Sequence, residues 1–552
     1  MTRLKRWMPP VLLVLTSLPM SCAEMEPSAW DDHVGSEIRK YQASQPEKAH
    51  GRPSVGLAGG ETASRPASRP ATLPAGPLQL TLNEAVLMSL ENNQELAVER
   101  LAPQIQRTFE DQELALFDPI LGSSLQGGRA KADQVTNTGD GIQHSIIDSV
   151  LGTASLSKFF PTGATVGVDA TGNYTDSSLG LDRLFSSRLG LSATQALLNG
   201  YGTDVNLASV RQARLNTLAS QYELRGFTEA LVAQTQTTYW DYVLAERQIQ
   251  IFTDSLALAQ KQMEETNERI RIGKLGQTEL AAVKAEVALR QEGLINARSN
   301  LATIRLRLLR LLNPPGDGVW QRQVMLKNQP SVPNNDIEDV ESHVRVALRM
   351  RPEINQARLA IARDELELVK TRSGLLPRLD LFVTLGRTGY ADSFGESLRN
   401  LGGDTYDVLG GVRFQYPLGN RDARARHSRA TITRQQAQQA LDNLAQLVQV
   451  DVRSAFIEIQ RASEQVVATA ATRKLQEETL RAETEKFRVD KSTSLLVAQA
   501  QRDLLAGQIG EVEALVTYSK AIINFYRLEG SLLVRRGISA PGSQPFVTSV
   551  PR

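Results

Sequence analysis

Apolar side chains recur every seven residues over long stretches of the chain, which is the spacing of supercoiled helices. The first stretch extends from about Asp204 to Ile272, and a second one follows after Gly273 and Gly276. At 1.5 Å per residue the first stretch predicts a helix of roughly 100 Å, longer than a globular core is thick. A second pair, interrupted at Arg473 and Arg502, repeats this plan. The grid positions are Tyr242, Ile249, Leu256, Met263 and Ile270; Leu280, Val287, Leu294, Leu301 and Leu308; Val452, Ile459, Val466, Leu480 and Phe487; and Leu495, Ile509, Val516 and Ile523.

Between the helical stretches lie segments of about ten residues in which apolar side chains alternate with small or polar ones. This alternation, rich in Gly and Tyr, is typical of transmembrane β-strands, although a soluble sheet with free edges has the same pattern. Heptads alone favour a structural coiled coil, but a soluble rod has no need of strand pairs between its arms. Together with the export signal described below, the pattern favours a membrane barrel. The predicted strands are 150–157, 164–174, 187–195, 378–385 and 406–416.

The chain contains two copies of one helix–strand–helix pattern, which indicates an internal duplication. At an offset of about 258 positions Val86 aligns with Val344 and Pro119 with Pro377. Further on, at an offset of about 220, Gln195 aligns with Gln415. The fall in offset places about forty extra residues in the first copy, between Pro119 and Leu189, and they include the turn signal of residues 159–163. These residues predict either an additional hairpin or a long external loop.

The N-terminal residues predict export. A basic segment precedes an apolar run from about Trp7 to Met20, which is too short for an ordinary transmembrane helix and is typical of a signal peptide. Cys22 stands where a bacterial lipoprotein signal has its acylated residue, and Leu18–Cys22 resembles a lipobox with Pro19 in place of the preferred leucine. Ordinary cleavage after Ala23 is the alternative. The following Pro-, Ala- and Ser-rich segment predicts an extended tether.

These signals divide the chain into consecutive parts. They are a signal peptide ending at the lipobox cysteine (1–22), a tether (23–80), a first helix–strand–helix repeat (81–313), a connector (314–338), a second repeat (339–533) and a C-terminal tail (534–552).

Composition excludes several classes of function. The 552 residues carry a formal charge of +1, so no global field attracts nucleic acid, and the mean hydropathy of −0.26 excludes a polytopic helical membrane protein. One cysteine excludes an intramolecular disulfide or a zinc site of several thiolates, and the five histidines have no ligand spacing. A P-loop, a His-Glu-x-x-His motif, a Gly-x-Ser-x-Gly motif and a Rossmann glycine pattern are all missing from the sequence. We therefore expect neither catalytic residues, nor a metal, nor a cofactor.

The ordered set of motifs resembles the TolC-like outer-membrane efflux proteins of the lipoprotein type, over about Leu80 to Leu533. Gln195–Gly200 is similar to the family's Gln-Pro-Leu-Leu-Arg-Gly, and Gln415–Gly419 is its counterpart in the second copy. Residues 493–504 resemble the family's second helical hairpin, and 527–533 its closing stretch.

The resemblance implies a mainly α fold with β-strands: a homotrimer that shares one transmembrane β-barrel and one periplasmic α-barrel of coiled-coil helices. The family has four strands per chain, so an added hairpin would make six. A few strands cannot close a barrel alone, because their free edges would be unsatisfied in lipid.

The implied function is the exit duct of a tripartite efflux or type I secretion system in the outer membrane. Its partners would be a periplasmic adaptor and an inner-membrane pump or secretion ATPase. A lipid-anchored periplasmic scaffold without a pore is the alternative.

The resemblance also places an adaptor-docking tip at the two helical turns far from the strands. Ile272–Gly273 is similar to the family's Val-Gly-Leu turn, but Lys274 intervenes before Leu275, and Asp490 replaces glycine in the second copy. The docking candidates are Ile272, Gly273, Lys274, Leu275, Val489, Asp490 and Lys491.

A periplasmic gate is expected just past the second turn. Some family members have two aspartates there, and the matching positions are Leu496 and Gln499, so an acidic ring is not supported. Leu495 or Leu496 would instead form an apolar constriction that excludes water. The alternative is that both leucines fill a coiled-coil seam.

Overall fold

The computed structural model describes residues 77–135, 142–178, 181–316, 318–329, 339–489, 491–542 and 544–546. The predicted signal peptide, Cys22 and Asp490 lie outside the described residues.

The helices are grouped as the duplication predicts, with short helices before the strands of each copy and a long helical hairpin after them. In chain order they are α1 (Leu82–Asn92), α2 (Gln94–Glu99), α3 (Ala102–Leu114), α4 (Thr203–Asn206), α5 (Ala208–Arg271), α6 (Thr278–Leu312), α7 (Val340–Met350), α8 (Pro352–Gly374), α9 (Phe394–Arg399), α10 (Arg421–Arg488), α11 (Ser494–Glu529) and α12 (Leu532–Arg535).

The strands form two sheets. A short parallel pair joins β1 (Leu78–Leu80) to β6 (Val324–Leu326). An antiparallel sheet of six strands has the order β2-β3-β4-β5-β7-β8. The expected fold, mainly helical with antiparallel strands, is therefore confirmed. The strands of the large sheet are β2 (Ile120–Val135), β3 (Ile142–Phe159), β4 (Ala164–Ser177), β5 (Leu181–Ala196), β7 (Arg378–Ala391) and β8 (Tyr406–Gln415).

The extra residues of the first copy form the hairpin of β3 and β4. Strand β2 follows Pro119 as β7 follows Pro377, and β5 ends at the Gln195 motif as β8 ends at Gln415, so β3 and β4 have no counterpart. Their turn closes through a 2.9 Å hydrogen bond from the Gly163 amide to the Phe160 carbonyl. Gly163 has φ +87°, a conformation that favours glycine.

The heptad stretches form two long antiparallel hairpins. Helix α5 has 64 residues and α10 has 68, which correspond to about 96 and 102 Å at 1.5 Å per residue. Helix α6 folds back on α5, and α11 on α10. Close approach of α5 and α6 needs Gly293, because a Cβ there would lie 2.5 Å from the Phe252 ring.

The two copies are joined where α5 meets α11 and the C-terminal residues. Lys520 on α11 forms a 2.7 Å ion pair with Asp241 on α5. The buried Arg225 guanidinium donates to the carbonyls of Gly530 and Gly542, and also contacts Glu229 at 3.1 Å. These bonds hold the residues on both sides of α12 against the first long helix.

Candidate functional site

The six-stranded sheet has one apolar face and one polar face, because successive side chains of a strand point to opposite sides. On β3 the apolar face carries Val150, Ala154 and Leu156, and it is bordered by Asp148 at one end and Lys158 at the other. These borders lie ten positions apart, roughly 33 Å along a strand at 3.3 Å per residue. For a strand tilted by about 40° this corresponds to an apolar band of about 25 Å, as in membrane barrels.

The same apolar face continues onto β7 and β8. On β7 it is apolar from Leu379 to Leu385 and ends at Arg387, which pairs in register with Tyr406 of β8. An arginine and a tyrosine at this border match the charged and aromatic residues that mark a membrane interface.

The polar face carries mainly Ser, Thr and Gly, with a charged network at its centre. The Arg188 guanidinium of β5 lies 2.8 Å from the Asp407 carboxylate on β8 and 3.2 Å from the Asp169 carboxylate on β4. Gly190 and Gly386 leave the space for it, since a Cβ at Gly190 would lie 2.5 Å from Asp169 Oδ1. One cation thus spans strands β4 to β8.

This network has no local motif in the sequence and was not predicted. Register brings Asp169, Gly190, Gly386 and Asp407 into one row, and register is set by pairing rather than by any local motif. The sequence does show charged residues at polar positions of the strands and glycines at polar positions of the neighbouring strands. This pattern was the only available sign of the network.

The two helical turns present most of the predicted docking residues to solvent. Helix α5 ends where Gly273, at φ +77°, donates to the Ile270 carbonyl and Lys274 donates to the Arg269 carbonyl. The second turn closes by a 2.8 Å bond from the Lys491 amide to the Lys486 carbonyl. Ile272, Gly273, Lys274, Val489 and Lys491 are exposed, whereas Leu275 is half-buried.

The gate candidates lie together on one exposed side of the first turns of α11. The Thr493 hydroxyl caps this helix by accepting from the Leu496 amide. Leu495 is 59% exposed and Leu496 47%, and Gln499 is exposed beside them. The seam within the chain is filled by Val497 and Ala500, which are buried. Both leucines are therefore available to a surface outside this chain.

Two contacts that were not predicted from the sequence join the turns to each other. The Arg269 guanidinium donates to the Phe487 carbonyl at 3.1 Å and lies over the buried Phe487 ring, 4.4 Å from its centroid. The Ser494 hydroxyl donates to the Glu279 carboxylate. Each contact joins the first helical hairpin to the second, and pairs of residues about 215 positions apart leave no local signal.

Within the part of the chain that the structure describes, His, Cys, Asp and Glu form no group of three or more that would hold a metal ion. Among the described helices, none has the length and apolar character needed to cross a membrane.

Known proteins are similar to part of the chain in sequence and to most of it in fold. Residues 344–531 match the family profile of the outer membrane efflux protein. Curated protein sequences give no match. The solved CmeC outer membrane channel of Campylobacter jejuni is similar in fold, with a TM-score of 0.62 and 15% identity, covering 82% of this chain and 86% of that chain.

Two further outer membrane proteins have a similar fold. The outer membrane protein VceC of Vibrio cholerae has a TM-score of 0.59 and 15% identity, covering 81% of this chain and 96% of its own. The open state of the Neisseria gonorrhoeae MtrE outer membrane channel has a TM-score of 0.56 and 16% identity, covering 82% and 89%. The family match thus lies within the second copy of the pattern, and the chain has the fold of these outer membrane channels.

Proposed function

We propose that three copies of the chain form one exit duct that receives substrates from a periplasmic adaptor and an inner-membrane pump or secretion ATPase. The polar face of the sheet would line the outer-membrane part of the duct, and the helices would form its periplasmic part. The substrate passes without covalent chemistry.

The free edges of the sheet carry this proposal. Strands β2 and β8 each pair on one side only within the described sheet, and unpaired backbone groups are costly in lipid. Six antiparallel strands leave β2 and β8 running in opposite directions, so β8 of one copy would pair antiparallel with β2 of the next. Three copies would give eighteen strands, a number that leaves an aqueous channel.

The internal duplication supports the same arrangement in the helices. Helix α8 packs between α5 and α10, whereas its counterpart α3 packs on α5 and, in the described part of the chain, has no comparable helix on its other side. Accordingly Leu359 of α8 is 1% exposed, but Leu101, which aligns with it just before α3, is 51% exposed. A neighbouring copy would supply its α10 to this open side and complete the pattern.

The tip of the hairpins would contain both the gate and the adaptor contact. Three copies bring Leu495, Leu496 and Gln499 around one axis, where exposed leucines would form an apolar constriction that excludes water. Ile272, Gly273, Lys274, Leu275, Val489 and Lys491, with Asp490, would form the adaptor surface outside this ring.

The first test is the channel itself. We expect the detergent-extracted protein to have the mass of three chains and to conduct ions in planar lipid bilayers. The double substitution Leu495→Ser and Leu496→Ser is expected to raise the conductance, because hydroxyl groups allow water and ions to enter the constriction. Ile272→Ser, at an exposed apolar position of the other turn, is the matched control and should leave conductance unchanged. A monomer without conductance would instead support the pore-free scaffold.

The second test concerns the anchor. We propose that Cys22 is acylated, which its place after Leu18–Ser21 supports. The mature protein should then exceed the mass of its polypeptide by the acyl groups, and Cys22→Ser should abolish the excess. A native protein starting at Glu24 without added mass would show ordinary cleavage after Ala23.

A further inference from the structure

The connection between β7 and β8 folds back onto the apolar face of the sheet, and α9 lies on that face. The hydroxyls of Ser187 and Ser397 are 2.7 Å apart and both are buried. The side-chain amide of Asn400 donates a hydrogen bond of 2.8 Å to the Tyr390 carbonyl. At Gly389 a Cβ would overlap the Ser397 carbonyl oxygen and lie 2.7 Å from the Asn400 carbonyl carbon. The helix is thus docked at a position where only glycine fits.

A cavity of about 550 Å³ lies between this connection and the sheet. Its lining includes Phe394 and Leu398 of α9, which are themselves partly exposed. Part of its floor is the row of Ala154, Ala170 and Leu189, which are paired in register across β3, β4 and β5. The cavity is deep because Ala154 and Ala170 have small side chains. Its volume is in the range of small-molecule sites.

The same row leads out of the cavity to a cation. Leu189 pairs in register with Arg387, and Arg387 with Tyr406, so all three lie on the apolar face. Arg387 is exposed, and in the described part of the chain it has no ion pair. An arginine at the border of an apolar band is placed to bind an anionic group while its stem stays in the apolar layer.

We propose that the cavity under α9 binds one acyl chain of an anionic membrane lipid, whose phosphate group contacts Arg387. The inference rests on the proposed function, because it takes the apolar face as the lipid-facing side of the barrel. A second copy of the chain is not the occupant, since copies would join through the strand edges of β2 and β8 and leave this face open. The site lies in the leaflet far from the helical hairpins.

The test is the lipid that stays bound. The full-length protein is reconstituted in nanodiscs of equal parts phosphatidylglycerol and phosphatidylcholine, then released and weighed by native mass spectrometry. We expect one retained phosphatidylglycerol per chain. Ala170→Leu fills the cavity and should lose it. Ala193→Leu, the same change on the apolar face of β5 outside the cavity lining, should retain it.

Further variants test separately the docking of α9 and the charge of Arg387. Gly389→Ala should undock α9 and lose the lipid. Gly410→Ala, on the same face of β8, should keep it, because its Cβ would make only an ordinary contact, 3.8 Å from the Phe382 carbonyl oxygen. Arg387→Gln should lower the preference for phosphatidylglycerol over phosphatidylcholine by about tenfold, the effect of one charge-assisted hydrogen bond. Equal lipid retention by the native protein and Ala170→Leu, or equal loss in Ala193→Leu, would overturn the proposal. A native monomer would contradict the trimeric duct instead, since the same spectra count subunits.

Discussion

Glu229 is a buried carboxylate whose ionisation opposes folding. It is 3% exposed on α5, and burial raises its pKa to about 7 in spite of the neighbouring Arg225 guanidinium. The folded state therefore keeps a proton that the unfolded state releases near pH 4.5. Between these values the unfolded state binds fewer protons, so the contribution of this group to stability falls as pH rises from about 4.5 to about 7.

Glu229→Gln isolates that effect. Glutamine resembles the protonated carboxyl, so the variant should lack this part of the pH dependence. We expect the free energy of unfolding of the native protein to fall more steeply than that of the variant, by up to about 1.4 kcal/mol per pH unit. Thermal unfolding followed by circular dichroism at pH 5, 6, 7 and 8 measures the difference. Parallel curves would show that Glu229 does not titrate in this window.

Two glycines of α11 provide a matched pair for helix packing. A Cβ at Gly507 would overlap the Gln476 side-chain oxygen of α10, whereas Gly510 has open space. Alanine favours a helix interior over glycine by about 0.5–1 kcal/mol. Gly510→Ala should therefore raise the melting temperature, and Gly507→Ala should lower it because Gln476 must move. Melting curves of both variants compare the effects directly, and a similar rise in both would mean that α10 and α11 adapt without cost.

At the scale of elements, the long helices and most strands were predictable because their signals are periodic. The heptads of 204–272 became α5, and the alternating run of 378–385 lies within β7. Strand β2 was not predicted, since Gly127, Gly128, Arg129 and Lys131 break its alternation. Its place comes from pairing with β3 along the whole strand, and pairing energy is not a local property.

Helix α9 and the contacts at the tip were beyond prediction for a related reason. Six residues are too few for a helical period, and α9 is held by Ser187 and Gly389 of other elements. The first turn was predictable, because Gly273 and Gly276 mark it, but the links across the two hairpins depend on how the hairpins pack. Local residues indicated where the chain turns and not what the turn contacts.

The link from Arg269 to Phe487 should keep the tip closed. Arg269→Ala removes the bond to the Phe487 carbonyl and the contact with its ring, so the two hairpins should separate more readily and the conductance in planar bilayers should rise. Arg271→Ala is the control, because Arg271 pairs with Glu268 on its own helix. Equal conductance in both variants would mean that the link has no part in closure.

At the scale of the whole molecule, the open side of α3 and of the residues just before it predicts the subunit interface. Leu101 is the counterpart of the buried Leu359, so we expect a neighbouring copy to cover it. Leu101→Asp would place a charge in that interface and should shift the protein from trimer towards monomer. Val98→Gln is the matched control, because Gln356 occupies the aligned position in the second copy. Size-exclusion chromatography with light scattering gives the mass of each variant. A trimeric Leu101→Asp protein would place the interface elsewhere.

The hairpin of β3 and β4 changes the capacity of the proposed duct without touching the helices. The hairpin begins at Ile142, beside the end of β2, and ends at Ser177, beside the start of β5, and both places are at the end of the sheet far from the helices. Strands β2 and β5 would therefore still run in opposite directions without it. Barrel diameter grows roughly linearly with strand number, so eighteen strands in place of twelve would widen the exit by about half and its cross-section about twofold. Insertion of one hairpin is thus an evolutionary route to a duct with lower resistance for bulky cargo, while the periplasmic machinery keeps its dimensions.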